Sequence, residues 1–343
     1  MSTQRSPLTI SWQPLTLQLR QPFRIAHGVS DARDNILVRV GSGVGEAAAV
    51  PYLGETPDSI IDYLRGVDLG TLRDPLQLEE LITRLPPGSA AARAALDIAL
   101  HDGWGKALGQ PLYRLFGLNP ERIPPTSVTI PIASPEEMAE AAQQADAPAL
   151  KIKLGTDQDE LRFGAIRRAT RARLRVDANG GWTLGRAKQL LPLLHEYQVE
   201  LVEQPLPAGD LEGLRALAQL RSRPPLFVDE SIRTSADILA HQGLVEGIVV
   251  KLAKSGGIRA ALRQITLARA LGLEVMLSCM IESSVAVTAA AQIAPLAQWV
   301  DLDGPLLIAN DPFEGVGYRQ GQLLLPDAPG IGVRARSPFT GPG

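Results

Sequence analysis

Five charged residues stand at or beside the ends of short apolar runs: Lys153 in ALKIKL, Asp177 in RLRVD, Glu203 in VELVE, Asp229 in PLFVD and Lys251 in GIVVK. Their successive spacings are 24, 26, 26 and 22 residues. Three carboxylates carried by three separate rigid elements form an oxygen donor set that suits Mg²⁺, a hard cation that favours oxygen ligands and keeps exchangeable positions. The lysines lie on either side of that set. A substrate carboxylate held there loses its α-proton more readily, and one amine can take the proton while the other returns one to the opposite face. That is the chemistry of epimerisation. Lys151, two residues before Lys153, shares its strand face, so its positive charge is expected to lower the pKa of Lys153 toward that of a working base. Zinc fits less well, because His27, His101, His195, His241 and the lone Cys279 show no ligand spacing and HExxH is absent.

Positioning these residues requires a repeated scaffold. Strand-like runs fall at 126–130, 149–154, 173–177, 199–203, 225–229, 247–251, 273–277 and, more weakly, 299–303, most followed by a helical stretch. A repeat of about 25 residues with apolar strands and helical crossovers predicts a parallel sheet closed into a barrel, whose active site opens at the C-terminal strand ends. A doubly wound open sheet is the alternative. GSGVGE at 41–46 lacks the last glycine of the dinucleotide fingerprint, and the phosphate-loop pattern is absent, so a nucleotide site is unsupported.

Residues 1–124 read differently. LTISWQPLTLQL and NILVRVGS alternate with period two, the intervening QPFRIAHGVSDARD reads as a loop, and helices are predicted near 57–66, 75–84 and 88–107, the last capped by Ser89. This predicts an α+β domain over 1–124, a barrel over 125–310, and a chain end over 311–343 that returns to complete the first domain.

Composition narrows the class. The 343 residues carry 34 Lys+Arg against 37 Asp+Glu, a net charge of -3, which supplies no basic field for nucleic acid or an acidic membrane surface. A 45% hydrophobic content provides a substantial core. One cysteine, a start without a secretory pattern and no run of 18 apolar residues point to a reducing cytoplasm and exclude a spanning helix.

KIK at 151–153, DANGGW at 177–182, EQP at 203–205, DES at 229–231, KLAKSGG at 251–257 and DLD at 301–303 together resemble the enolase superfamily, in its muconate-lactonizing-enzyme subgroup. They are most similar to its dipeptide epimerases, such as the L-Ala-D/L-Glu epimerases, and the helical stretch 88–117 resembles the family's capping domain. The resemblance implies a modified (β/α)7β TIM-type barrel under an N-terminal α+β cap. It further implies one Mg²⁺ per subunit on Asp177, Glu203 and Asp229, proton exchange by Lys153 and Lys251 through a metal-stabilised enolate, and electrostatic help from Lys151. The substrate would be a small molecule, an L-Ala-Xaa dipeptide inverted at its second residue, and the enzyme a homo-oligomer.

Other roles follow from the same resemblance. Asn179 and Glu230 would organise the metal's surroundings. Asp301 and Asp303 share strand parity, so both are expected to face the mouth and favour a substrate α-ammonium, as in the dipeptide epimerases. Where some L-Ala-D/L-Glu epimerases carry an arginine in the first-domain loop this chain has Gly28, leaving Arg24 and His27 as candidate substrate contacts. Glu282 and Ser283 are candidates for positioning the substrate carboxylate. Lys254 is expected to point inward less than Lys251, and Cys279, Met280, Trp182 and Trp299 read mainly as packing. The alternatives are a sister reaction (o-succinylbenzoate synthase, N-acylamino-acid racemase or muconate cycloisomerase) and a carboxylate-binding barrel without turnover.

Overall fold

The computed structural model describes residues 8–70 and 74–336. The sequence reading of the first and last regions also covers 1–7, 71–73 and 337–343, which lie outside the described residues. A three-stranded antiparallel sheet comes first: β1 (Ile10–Ile25), β2 (Gly28–Val40) and β3 (Gly43–Ala47). Helices α1 (Pro57–Arg65), α2 (Leu78–Thr83) and α3 (Ala90–Leu108) follow. Thr56 and Ser59 close a capping box on α1, and Ser89 caps α3 by accepting from the Ala92 amide, as the sequence predicts.

Period-two alternation on β2 separates two cores. Ile36, Val38 and Val40 pack with Leu64, Leu81, Leu96 and other side chains of α1–α3, whereas Leu37 belongs to the barrel core. The GSGVGE segment is a packing device: a Cβ at Gly43 would lie 1.8 Å from the Ala99 carbonyl oxygen and one at Gly45 1.9 Å from that of Ala95. The absent side chains let α3 lie directly on β3.

The stretch 21–34, expected as a loop, is instead a β-hairpin. β1 and β2 pair from Ile10↔Val40 to Ile25↔Gly28 with a register shift between Gln18 and Phe23, and Ala26 and His27 form the turn. Its arms are largely exposed or half-buried, so no apolar alternation marks them; backbone pairing alone carries the strands past the edge of the cap.

The second region is a parallel sheet in sequential order: β4 (Val128–Ile130), β5 (Ala149–Lys153), β6 (Arg173–Asp177), β7 (Val202–Glu203), β8 (Leu226–Val228), β9 (Gly247–Lys251), β10 (Glu274–Ser278) and β11 (Trp299–Asp301). A parallel bridge from Thr126 to Val300 brings the first strand's approach against the last, nearly closing the barrel. Helical crossovers join the strands, giving the expected modified (β/α)7β architecture. The chain end touches both regions. Phe313, Val316 and Leu323 enter the barrel core, while the Leu112 amide donates to Gly330 O at 3.0 Å and the Ile331 amide to Asp102 Oδ1 at 2.9 Å. No helix among the described residues is long and apolar enough to cross a membrane.

Candidate active site

Strand register brings the charged residues side by side. Lys153 pairs with Asp177 and Asp177 with Glu203 across β5, β6 and β7, and Ser278 lies level with both Lys251 and Asp301 across β9, β10 and β11. Asp229 follows β8 directly. All of these side chains are buried. The hairpin, the segment after β3 and the strand ends enclose a cavity of about 830 Å³, within the range that holds small ligands.

Ion pairs tie the cluster into an arc. Lys153 Nζ donates to Asp177 Oδ2 at 2.6 Å. Lys151 Nζ lies 3.1 Å from Asp177 Oδ2, 2.8 Å from Glu203 Oε2 and 2.7 Å from Asp301 Oδ2. At the other end, Lys251 Nζ is 2.8 Å from Asp229 Oδ2 and Lys254 Nζ 2.5 Å from Asp229 Oδ1. Lys254 was expected to be the less inward lysine, yet it is fully buried against Asp229, because the short helix beginning at Leu252 turns it back beneath the strand end.

Charge and burial compete at each group. Burial alone would raise Asp177, but the Lys153 and Lys151 ammonium groups hold it far below the ordinary carboxylate range. Lys251 and Lys254 do the same for Asp229. Glu203 goes the other way: burial, with the neighbouring Asp177 and Asp229 charges, pushes it up to about 8. Burial would lower Lys151, but Asp301, Glu203 and Asp177 raise it well above the usual lysine value. For Lys254 burial prevails and lowers it.

Among the described residues no three His, Cys, Asp or Glu side chains are drawn together as a ready metal cluster; lysine ammonium groups stand among the carboxylate oxygens. The donor chemistry nevertheless fits a hard divalent cation. Among the described residues Glu203 Oε1 is buried with no hydrogen-bond partner, and Glu203 Oε2 and Asp229 Oδ2 meet lysines at ion-pair distance without well-directed hydrogen bonds. Such buried carboxylate oxygens are costly until a cation engages them.

Neighbouring residues hold the arc in place. Asn179, in the left-handed region at φ 44°, donates its amide to Asp177 Oδ1 and its side chain to Glu230 Oε1 at 3.1 Å. Gln204, at φ 39°, accepts from the Asp229 and Ser231 amides and thereby fixes the turn after β8. Of the DLD pair, Asp301 accepts from Lys151, Ser127 Oγ and Ser278 Oγ, while Asp303 accepts from the Thr129 amide at 2.7 Å. Lys151 outweighs burial to lower Asp301, and burial with the Asp301 charge lifts Asp303 to about 6. Both line the cavity.

Three proposed contacts fall elsewhere. Arg24 is exposed on the hairpin and does not line the cavity, because its neighbours Phe23 and Ile25 do and alternation along β1 turns Arg24 to the other face. Ser283 is buried against the cap, its hydroxyl donating to Glu46 Oε2 at 2.5 Å, and Glu282 accepts from the Met280 amide behind the cavity wall. His27 does line the cavity and bonds to Asn179 O at 2.6 Å through Nε2. Met280 and Cys279 also face it, whereas Trp182 is packed beneath the DANGGW turn with its indole N–H on Asp159. Glu46, missed in the sequence, is a buried carboxylate on β3 joining Asn35, Ser283 and the Ala286 amide; a charged residue at an inward strand position was its only signal.

Comparison with known proteins agrees with this geometry. Residues 9–117 match the mandelate racemase / muconate lactonizing enzyme N-terminal domain, and residues 134–338 match the enolase C-terminal domain-like family. The chain therefore belongs to the enolase superfamily, in its mandelate racemase / muconate lactonizing enzyme group. Within that group it is a dipeptide-epimerase-like enzyme. It is 40% identical over 336 residues to the L-Ala-D/L-Glu epimerase of Bacteroides thetaiotaomicron, covering 95% of this chain and 88% of that protein. It is 38% identical over 344 residues to the hydrophobic dipeptide epimerase of Roseobacter litoralis, covering 95% and 98%. A crystal structure of dipeptide epimerase from Cytophaga hutchinsonii, complexed with Mg and D-Ala-L-Val, superposes with a TM-score of 0.91 at 28% identity, covering 97% of each chain.

Proposed function

We propose that this protein is a Mg²⁺-dependent dipeptide epimerase that inverts the α-carbon of the second residue of an L-Ala-Xaa dipeptide. The observation that carries the proposal is the placement of Lys153 and Lys251 at the two ends of one carboxylate arc, on strands β5 and β9, facing a single cavity. Relatives whose names describe dipeptide epimerisation, and the Mg-bound structure of one of them, support it. Asp177, Glu203 and Asp229 would hold the cation. When bound, the cation supplies positive charge that lowers the cost of the negative charge developing on the substrate carboxylate.

The chain's own residues move the proton. One lysine, as the free amine, accepts the α-proton from one face, and the other, as the ammonium, donates a proton to the opposite face; the roles reverse for the other epimer. Lys151 keeps Asp177, Glu203 and Asp301 in register, and Lys254 anchors Asp229 from beneath. Asn179 and Glu230 brace the turn beside Asp177. Asp303, which makes no ion pair with a lysine among the described residues, receives the dipeptide's ammonium together with Asp301. The assignment of a cap over 1–124, completed by 311–343, above a barrel over 125–310 belongs to the same reading, supported by the bonds of Gly330 and Ile331 to the first region. So do one Mg²⁺ per subunit and a homo-oligomer in the cytoplasm, a compartment that suits the free thiol of Cys279.

Deuterium incorporation in D₂O across an L-Ala-L-Xaa library, with Mg²⁺ and after chelation, tests this. Exchange with inversion at the second α-carbon, lost on chelation and restored by Mg²⁺, is expected. A folded, Mg²⁺-loaded protein that exchanges no dipeptide but turns over an N-acylamino acid or a cycloisomerase substrate would transfer the assignment to a sister reaction.

A further inference from the structure

A neutral donor of the cavity stands without an acceptor. Tyr52 lies in the single helical turn Pro51–Leu53 that follows β3, and its hydroxyl is buried with no hydrogen-bond partner among the described residues. The backbone that carries it is fixed on both sides. Ala48 and Val50, just ahead of it, are buried with Ala253 of the short helix Leu252–Ser255, and Tyr52 and Met280 pack against the same cluster. Glu55, just after it, accepts from the Val50 amide, the Ser89 hydroxyl and the Ala91 amide, which ties the turn to α3.

Other donors that line the cavity are engaged. Asn35 donates to Glu46 and to Ile281 O, Gln204 to Leu206 O and Ser231, and Arg33 on β2 to the Ser30 hydroxyl. A buried hydroxyl without an acceptor is costly, and an acceptor brought by a ligand would remove that cost. Burial first, and then the charge of Asp229, hold the Tyr52 phenol above the ordinary tyrosine value, with Lys251 opposing and Glu230 and Glu203 adding to the rise. It therefore serves as a donor throughout the neutral range. Those neighbours stand at the ends of β7, β8 and β9.

The strand order sets what the hydroxyl faces. With eight strands running from β4 to β11, β7 lies across the barrel from β11. In the epimerase reading the dipeptide's ammonium is received at the end of β11, so its carboxylate lies toward the acids of β6 to β8. Negative charge builds on that carboxylate as the α-proton leaves, and a preorganised donor stabilises it most at that moment. Resting on the epimerase reading above, we infer that the Tyr52 hydroxyl donates to the substrate carboxylate and that this bond strengthens as the α-proton leaves, making Tyr52 a further catalytic residue of this chain.

The test compares Tyr52→Phe with the wild type on the best L-Ala-L-Xaa substrate of the library and on its D-epimer, with Mg²⁺ affinity measured by calorimetry. The substitution removes one oxygen and leaves the ring on Ala253. Turnover, kcat, should fall roughly 10- to 100-fold while KM changes far less, as for a bond that counts most in the transition state. Deuterium wash-in from the two epimers should fall by one common factor, since both present the same carboxylate. Mg²⁺ affinity and the urea midpoint should be unchanged. An unchanged kcat, or a raised KM at constant kcat, overturns the inference. A wash-in loss confined to one epimer also overturns it, by assigning the hydroxyl to Lys251 alone, and a weakened Mg²⁺ affinity or lowered midpoint does so by making Tyr52 a structural prop. Each of these leaves the epimerase reading intact; exchange of no dipeptide by the wild type overturns both.

Discussion

Replacing Glu282 by Gln should stabilise the protein at neutral and alkaline pH. Glu282 lies where the barrel meets the cap, almost fully buried, with its Oε2 accepting from the Met280 amide at 2.9 Å. Burial first, and then the charge of Glu46, push its carboxyl up to about 8 from the ordinary 4.5, against smaller opposing effects of the Met280 amide and Lys251. Burial raises Glu46 as well, against the amide and hydroxyl of Ser283 and the side-chain amide of Asn35, and the Glu46 charge in turn favours the protonated form of Glu282. An acid whose folded-state pKa is raised binds its proton in the native state at pH values where the unfolded chain has already released it. Stability is therefore greatest below the unfolded value near 4.5, declines as pH rises, and has lost this contribution in full above about 8. At about 1.36 kcal/mol per pKa unit, the loss is roughly 3 kcal/mol at pH 7 and roughly 5 kcal/mol by pH 9. Glutamine keeps the acceptor for Met280 and removes the titration. Urea unfolding of wild type and Glu282→Gln between pH 4 and 9 should give curves that converge at the acid end and separate steadily toward the alkaline end, with the variant the more stable. Parallel profiles would refute the reasoning.

Two further outcomes test the lysine arc and the docking of the cap. Lys153→Ala and Lys251→Ala should each abolish epimerisation, while each retains wash-in of deuterium from only one epimer, of opposite configuration in the two variants; undiminished epimerisation by either would sink the two-base assignment. Gly45→Val should destabilise the protein by about 3 kcal/mol or more, seen as a lowered urea midpoint, since even a Cβ there would meet the Ala95 carbonyl oxygen at 1.9 Å. A wild-type midpoint would show that α3 and β3 can separate at little cost.

How far the protein can be read from its sequence depends on whether a feature is local or assembled. The barrel and its arc are legible because strand period, helical crossovers and a charged residue near each strand end recur together, and strands of one parallel sheet must bring such residues to one rim. Thus Lys153, Asp177, Glu203, Asp229 and Lys251 stand out from residue type and spacing alone. Elsewhere the pattern is silent. The hairpin over 21–34 has largely exposed arms, so no burial alternation marks it, and it reads as a loop. Which of Arg24 and Arg33 enters the cavity depends on the pairing register, including the shift between Gln18 and Phe23, because a slip of one residue exchanges the two faces of a strand.

Contacts across long sequence separations are likewise decided only in three dimensions. Glu46 meets Ser283 across 237 residues, and Gly43 and Gly45 have their meaning only once α3 is laid on β3. Lys254 looked peripheral because helix begins there, but that turn drives its ammonium under Asp229. The sequence by itself determined which chemistry stands at the strand ends, since residue type and period are local properties of the chain. Tertiary structure decided which side chains from the cap and the following turns join that chemistry, because register, helix docking and the competition between burial and charge exist only when distant segments meet.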